Sequence, residues 1–393
     1  MKKLVCLCSL LFLIVSVVPC ASAVAGSIST KAPFAFMIDF ETGEELLNKN
    51  ADEAMAPASM SKLMTVYILL EKLKAGVFTL DDEFLVSQNA WQKGGVHTGG
   101  STMFLTPNAK VKIGDLLKGI IVQSGNDACI VVAENVAGSE EQFAIEMNNK
   151  AKELGLTNSH FENATGWPNK KHKMSVRDIA TLSKLIISNF PEYYDIFSQR
   201  YFTYNKIKQE NRNPLLFMNK IKADGLKTGH TEASGYGLAA SAVEDETNRR
   251  IILVVNGLKT MKERGDETKR LIEWGMREFT NAKILAKGQE IAFVPVFMGQ
   301  ESSVKVEALD DLLLTYPKTE KNKINIVFNY EQPVKAPVKK GDVLGKVTVS
   351  APGVTAREVK VVAAEDVSEM GFFGKLLYRI KHIFGFGYDA NAR

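Results

Sequence analysis

At 393 residues the chain is long enough for two domains with separate cores. Its 45% hydrophobic and 24% charged residues make an ordinary globular composition. A formal net charge of +4 is too mild to argue for nucleic acid as a partner, and no basic helix interleaved with aromatics, zinc-finger spacing or RNA-binding signature occurs.

The first element is a targeting segment. Lys2 and Lys3 precede an uncharged apolar run from Leu4 to Val18, and Ala21-Ser22-Ala23 or Ala23-Val24-Ala25 supplies small residues for cleavage. The run is shorter than the ~20 residues that span a bilayer, so residues 1–25 read as an export signal rather than a membrane helix. Val17-Val18-Pro19 ahead of Cys20 lacks the small residue of a lipoprotein signal. Cys6, Cys8 and Cys20 leave with this segment. Cys129 remains alone in the apolar stretch Ala128–Ala133 and reads as a packing residue, so the mature chain has no intramolecular disulfide.

Residues 34–38 read as a first strand, with a turn at Thr42-Gly43. After Pro57 a helical pattern places apolar residues at Met60, Leu63, Met64, Tyr67 and Leu70. Residues 111–136 carry a second helical pattern, broken by Gly125, and residues 176–188 a third. Gly235–Ser241 and Arg250–Asn256 read as adjacent strands, the latter nearly all apolar over Ile251–Val255. Thr268–Phe279 reads as a helix. This order predicts an α+β unit, residues 26–283, in which a sheet joins both chain ends beside a helical cluster. From 284 to 365, short β-type runs such as Val304–Val306, Ile324–Val327 and Val343–Val349 alternate with Pro333, Pro337 and Gly341-Asp342, which predicts a small all-β domain. Within residues 366–393, apolar positions 372, 373, 376, 377, 380, 383 and 384 share one helical face, opposite Lys375, Arg379, Lys381 and His382. Such a segment either packs on the β domain or lies in a membrane headgroup region; its aromatic, basic and terminal character favours the anchor.

Three strings carry the chemistry. Ser59-Met60-Ser61-Lys62, Ser124-Gly125-Asn126 and Lys227-Thr228-Gly229 read S-x-x-K, S-x-N and K-T-G, with spacings of 65 and 103 positions. A serine hydroxyl is a poor nucleophile near neutral pH and needs a base. Ser59 and Lys62, at i and i+3, project from one face of a helix. A lysine serves as base only if burial or nearby positive charge lowers its pKa, and Lys227 is a candidate for that charge. Ser59 at a helix start also leaves backbone N–H groups free for an oxyanion.

Single motifs prove little. Ser302-Ser303-Val304-Lys305 also matches S-x-x-K, but in a β-type run where i and i+3 point to opposite faces; Ser87-Gln88-Asn89 matches S-x-N without an apolar frame. The five histidines contain no H-E-x-x-H and no close pair, which argues against a zinc peptidase, and no cofactor or metal is implied. His230 has no accompanying carboxylate motif for a triad. Gly94–Gly100 lacks the Lys-Ser or Lys-Thr of a phosphate cradle and reads as a mobile flap on a cleft rim. Asp39, Glu41 and Asp81-Asp82-Glu83 read as solvated turns, Glu134 and Asn135 as helix surface or caps, and Trp91, Trp167 and Trp274 as packing residues.

Pro57 to Thr65, Gln123 to Ala128 and Asp224 to Thr231 together resemble the active-site strings of the D-alanyl-D-alanine carboxypeptidases, the low-molecular-mass penicillin-binding proteins of the bacterial envelope. The resemblance extends to Asn211-Arg212-Asn213, Arg177-Asp178, the β domain and Gly371 to Lys375. It implies a β-lactamase/transpeptidase-like catalytic domain. It further implies that Ser59 is acylated by the D-Ala-D-Ala end of a peptidoglycan stem peptide or by a β-lactam, with Lys62 as general base and Ser124 as proton relay. Asn126, Lys227, Thr228 and Gly229 would bind substrate, backbone N–H groups of Ser59 and His230 would form the oxyanion hole, and Arg264 resembles a carboxylate-binding arginine. The enzyme would sit on the outer face of the cytoplasmic membrane through residues 371–387; the sequence names no partner for the β domain. Two departures stand out. His172-Lys173-Met174-Ser175-Val176 replaces a histidine followed by small residues, and Pro214 stands where a glycine is common. A D,D-endopeptidase, a class A β-lactamase and a non-catalytic penicillin-binding scaffold are the alternatives.

Overall fold

A computed structural model describes residues 28–383. The export segment and the end of the terminal segment lie outside the described residues.

The first strands are β1 (Phe34–Asp39) and β2 (Glu45–Lys49). A 3-10 turn, Ala58–Ser61, leads into helix α1 (Lys62–Lys74). Strands β3 (Glu83–Leu85) and β4 (Lys110–Lys112) form a hairpin around helix α2 (Gln88–Gly94). Helices α3 (Ile113–Ile121), α4 (Asn126–Ala137), α5 (Glu140–Glu153) and α6 (Val176–Asn189) follow. A second hairpin, β5 (Tyr201–Tyr204) with β6 (Ile207–Glu210), precedes β7 (Lys222–Thr231), β8 (Gly235–Val243), β9 (Arg250–Leu258) and helix α7 (Met261–Glu278).

The five-stranded sheet runs β2-β1-β9-β8-β7, antiparallel throughout, so early and late strands of the first unit meet in it as expected. The apolar run of β9 is explained by a cover on each face. Ile252 and Val254 join the core under α1, α4 and α6, while Ile251, Leu253 and Val255 join the core under α7. Helix α1 is buried nearly all round, which makes it the central helix of the cluster.

Two expectations needed correction. Helix α7 begins at Met261, seven residues before Thr268. Thr260 caps it by accepting from the Glu263 N–H, and the Glu263 carboxylate accepts from Lys259 N–H. Its first two turns are largely polar, so hydrophobic periodicity cannot see them. Asp39 is not a solvated turn residue: it ends β1 and is fully buried. Arg249 donates from Nε to its carboxylate at 2.8 Å, and Asn281 adds a bond at 3.1 Å. A buried guanidinium requires a counter-charge, and Asp39 supplies it.

The all-β unit follows α7 without a gap. Strand β10 (Phe279–Leu285) pairs with β13 (Leu312–Pro317). A six-stranded sheet contains β11 (Glu290–Phe297), β12 (Ser303–Ala308), β14 (Asn325–Tyr330), β15 (Val334–Lys335), β16 (Val343–Ser350) and β17 (Arg357–Ala363) around a valine-rich core. The decoy Ser302 to Lys305 runs into β12, as its alternation implies. Helix α8 (Phe372–Ile383) ends the described chain. No helix among the described residues is long and apolar enough to cross a membrane.

Candidate active site

The three motifs meet where the helical cluster faces the edge strand β7. Ser59 sits in the 3-10 turn just ahead of α1, not inside the helix. Lys62, the first residue of α1, is fully buried. Its Nζ lies 2.8 Å from Ser59 Oγ and 2.8 Å from Asn126 Oδ1, and it donates to the carbonyl of Thr165. Burial lowers this amine to about 8, helped by the positive field of Arg212 and opposed by Asp127. An amine so placed holds a neutral fraction near physiological pH and can take the Ser59 proton.

The second pair stands opposite. Lys227 Nζ lies 2.9 Å from Ser124 Oγ and 3.1 Å from the Thr228 carbonyl. Burial, then the charges of Lys62 and Arg212, push Lys227 well below the ordinary lysine range. The two amines disfavour each other's protons, so the pair sheds its first proton early. Cys129 lies within the electrostatic reach of both amines, and burial pushes its thiol up to about 12. It remains a neutral apolar floor, as expected for a packing residue.

Local sequence explains the close fit. A Cβ on Gly229 would stand 2.8 Å from the Pro57 carbonyl and 3.1 Å from Met60 Cγ, so only glycine lets β7 lie against the Ser59 turn. A Cβ on Gly166, whose φ is +78°, would stand 2.1 Å from the Ala58 carbonyl. Asn163 Oδ1 accepts from the N–H groups of Thr165, Gly166 and Trp167, folding the turn that aims the Thr165 carbonyl at Lys62. Two non-glycine residues beside the site, Ala58 and Ser124, hold left-handed φ of 48° and 59°. Such strain collects where surrounding structure fixes it for a purpose.

Other expected residues fall nearby. Thr228 is buried next to Lys227 on β7. The His230 ring is exposed and stacks on Tyr236 with centroids 3.7 Å apart, while its Nδ1 faces the Gly235 carbonyl. Its side chain is therefore committed away from Ser59. Arg264 is buried in α7, donates to the Arg212 carbonyl at 3.0 Å and is lowered to about 10 by burial, so it stays cationic. Asn213 holds the β7 backbone through Gly225 O at 2.8 Å and also caps a 3-10 turn begun by Pro214, which gives that proline a fitting place. Gly94 is buried against the Asp127 backbone and Gly100 lies beside Asn126, which sets the Gly-rich loop on the cleft rim.

Sequence reasoning missed three contributors. Asp127 accepts from Thr102 Oγ1 and from the N–H groups of Met103 and Leu105, tying the roof of the cleft onto α4. Thr165 acts through a backbone atom, which no side-chain motif reports. Arg212 supplies positive field; it was visible only as part of a resemblance.

A serine beside a buried lysine amine, and a second serine–lysine pair across a cleft between helices and an antiparallel sheet edge, fit an active-serine acyl-transfer enzyme. Residues 21–260 match the family described as D-alanyl-D-alanine carboxypeptidase, and residues 279–369 match the domain described as penicillin-binding protein 5, C-terminal domain. The chain belongs to the D-alanyl-D-alanine carboxypeptidase family. It is 37% identical over 351 residues to the D-alanyl-D-alanine carboxypeptidase DacA of Escherichia coli (strain K12), covering 88% of this chain and 86% of that one. The crystal structure of penicillin-binding protein 5 from Haemophilus influenzae superposes with a TM-score of 0.79 at 36% identity, covering 88% of this chain and 99% of that one. A D-alanyl-D-alanine endopeptidase of E. coli is 28% identical over 236 residues, covering 56% of this chain and 69% of its own.

Proposed function

We propose that this chain is a serine-type carboxypeptidase that removes the terminal D-alanine from peptidoglycan pentapeptide stems, and that penicillins acylate the same serine. The observation that carries it is the 2.8 Å approach of a buried amine, lowered to about 8, to the Ser59 hydroxyl. Lys62 takes the Ser59 proton as Oγ attacks the penultimate D-Ala carbonyl. Backbone N–H groups of Ser59 and His230 receive the oxyanion. Ser124, fed by Lys227, passes a proton to the leaving amine as the C–N bond breaks. D-Alanine departs and water hydrolyses the ester. Thr228, Lys227 and Arg264 attract the terminal carboxylate, and Asn126 contacts the substrate amide.

The family match and the relatives named carboxypeptidases support this reading along most of the chain. The endopeptidase likeness reaches only about half of it and gives that alternative less support. A diffusible β-lactamase has no use for the β unit and terminal helix. The decisive experiment incubates the purified protein with a pentapeptide ending in D-Ala-D-Ala and assays free D-alanine, with mass spectrometry of Ser59 after penicillin. Release of D-alanine with an adduct on Ser59 is expected; an unmodified Ser59 excludes the enzymatic reading.

The export segment and α8 extend the proposal to location: outside the cytoplasmic membrane, held peripherally. Helix α8 exposes Phe372, Phe373, Leu376, Leu377 and Ile380 on one side, the pattern of a helix lying in a headgroup layer. Its Tyr378 packs edge-on against Phe297 of β11, so the helix also touches the β unit.

A further inference from the structure

A recess beside the catalytic serine takes no part in the chemistry above. It encloses about 280 Å³ between Pro57 and Ala58 of the Ser59 turn, the loop from Gly166 to Lys173, and the end of β7 at Thr231 and Ala233. Arg212, Lys227 and Arg264 do not line it. If Thr228, Lys227 and Arg264 draw the terminal carboxylate and the scissile carbonyl sits at Ser59, the upstream residues of the peptide run the other way along β7. That path leads past Thr231 to this recess.

Its wall has a definite chemistry. Trp167, half-buried, lines it beside Lys170 and Lys173. Neither amine forms an ion pair among the described residues. The loop's own carboxylate, Glu162, is taken up by His160 at 2.7 Å and Asn169 at 3.4 Å. Glu232 is exposed beside the rim and does not line the recess. His172 is 2% exposed. Its Nδ1 accepts the Glu162 N–H at 3.2 Å, and burial lowers the ring to about 4, so the neutral imidazole carries its proton on Nε2. That buried N–H has no protein partner. Two unpaired ammonium groups beside an indole face are complementary to a carboxylate on a short apolar stem.

This inference rests on the function proposed above: we propose that the recess seats a side-chain carboxylate of the stem peptide, carried by a residue upstream of the D-Ala-D-Ala end. The peptide is thereby gripped at two anionic points, one on each side of the serine.

The test compares kcat/KM for D-alanine release from matched pentapeptides. In one pair the carboxylate of the residue next to D-Ala-D-Ala is kept or converted to carboxamide; in the other pair the change is made one residue further upstream. The wild-type protein is expected to favour the carboxylate about three- to tenfold at one of these positions, with the ratio shrinking as salt rises. In Lys170→Ala/Lys173→Ala the ratio is expected to fall to about one. Each variant's rates are normalised to its acylation by benzylpenicillin, so general damage to the cleft does not imitate the result. A ratio near one at both positions in the wild type, or a ratio that persists in the variant, overturns the proposal. D-Alanine release without selectivity sinks this inference alone, whereas no release from any peptide and no penicillin adduct sinks the functional reading with it.

Discussion

Lys227 and Ser124 are joined by a 2.9 Å hydrogen bond that crosses the cleft from the sheet edge to the helical cluster. Ser124 holds its place at a left-handed φ, which costs an L-residue roughly 1–2 kcal/mol, and the neighbouring Gly125 N–H is fixed by the Gly119 carbonyl. If this strained serine is the proton relay, Ser124→Ala is expected to slow acylation by about 10²–10³-fold with little change in melting temperature. Stopped-flow penicillin acylation beside thermal unfolding separates the two effects; an unchanged acylation rate removes Ser124 from the proton path.

The pH dependence follows from Lys62. Burial lowers its amine to about 8, so the neutral form grows as pH rises and about a tenth is neutral at pH 7. Acylation of Ser59 is expected to climb about tenfold per unit up to about pH 8 and to level off above it. Lys62→Arg keeps a charge that cannot be shed and is expected to abolish acylation. An acylation rate that falls between pH 6 and 8 would exclude Lys62 as the base.

The S-x-x-K string was readable because it encodes a local requirement, the i, i+3 spacing of Ser59 and Lys62; the strand β7 that carries Lys227 to Gly229 was not read from the sequence. The run Ile251–Val255 announced a strand, and the structure covers both of its faces. What stayed hidden depends on distant partners. Asp39 looked like part of a turn because its partner Arg249 lies 210 positions away. The first turns of α7 looked like loop because a cap, not an apolar stripe, starts them. The Thr165 carbonyl is backbone, and backbone atoms leave no mark in a residue string.

Gly229 makes the β7 contact with the Ser59 turn possible. Gly229→Ala places a methyl group 2.8 Å from the Pro57 carbonyl, so turn and strand must part by a few tenths of an ångström or more. The expected result is a folded protein whose acylation rate drops about 10²-fold, because misplacement of reacting groups is costly. Circular dichroism and acylation kinetics together check this; near-normal kinetics would show that the contact is dispensable.

Asp39 and Arg249 form an ion pair in which both side chains are almost fully buried. Asp39→Ala strands the guanidinium and is expected to cost about 3–5 kcal/mol, read as a lower urea midpoint. Asp39 also bonds Asn281 of β10, so the loss should be larger than for an exposed pair such as Lys112 with Asp81. Equal effects at the two sites would contradict the structural weight given to Asp39.

Deleting the chain after Glu369 removes α8 and its exposed phenylalanines. The truncated protein is expected to leave anionic lipid vesicles in a flotation assay while keeping its Ser59 acylation rate. Retention on vesicles would move the lipid contact elsewhere.

The cleft has one wall from each half of the catalytic unit: Ser59, Lys62 and Ser124 on the helical side, Lys227 and Thr228 on the sheet. A drug esterified to the first wall and held by the second acts as a rivet through the seam. Shearing the halves apart then means tearing that ligand loose from β7, so the inhibited form should be the tougher molecule, and occupancy, not only chemistry, decides how long it survives.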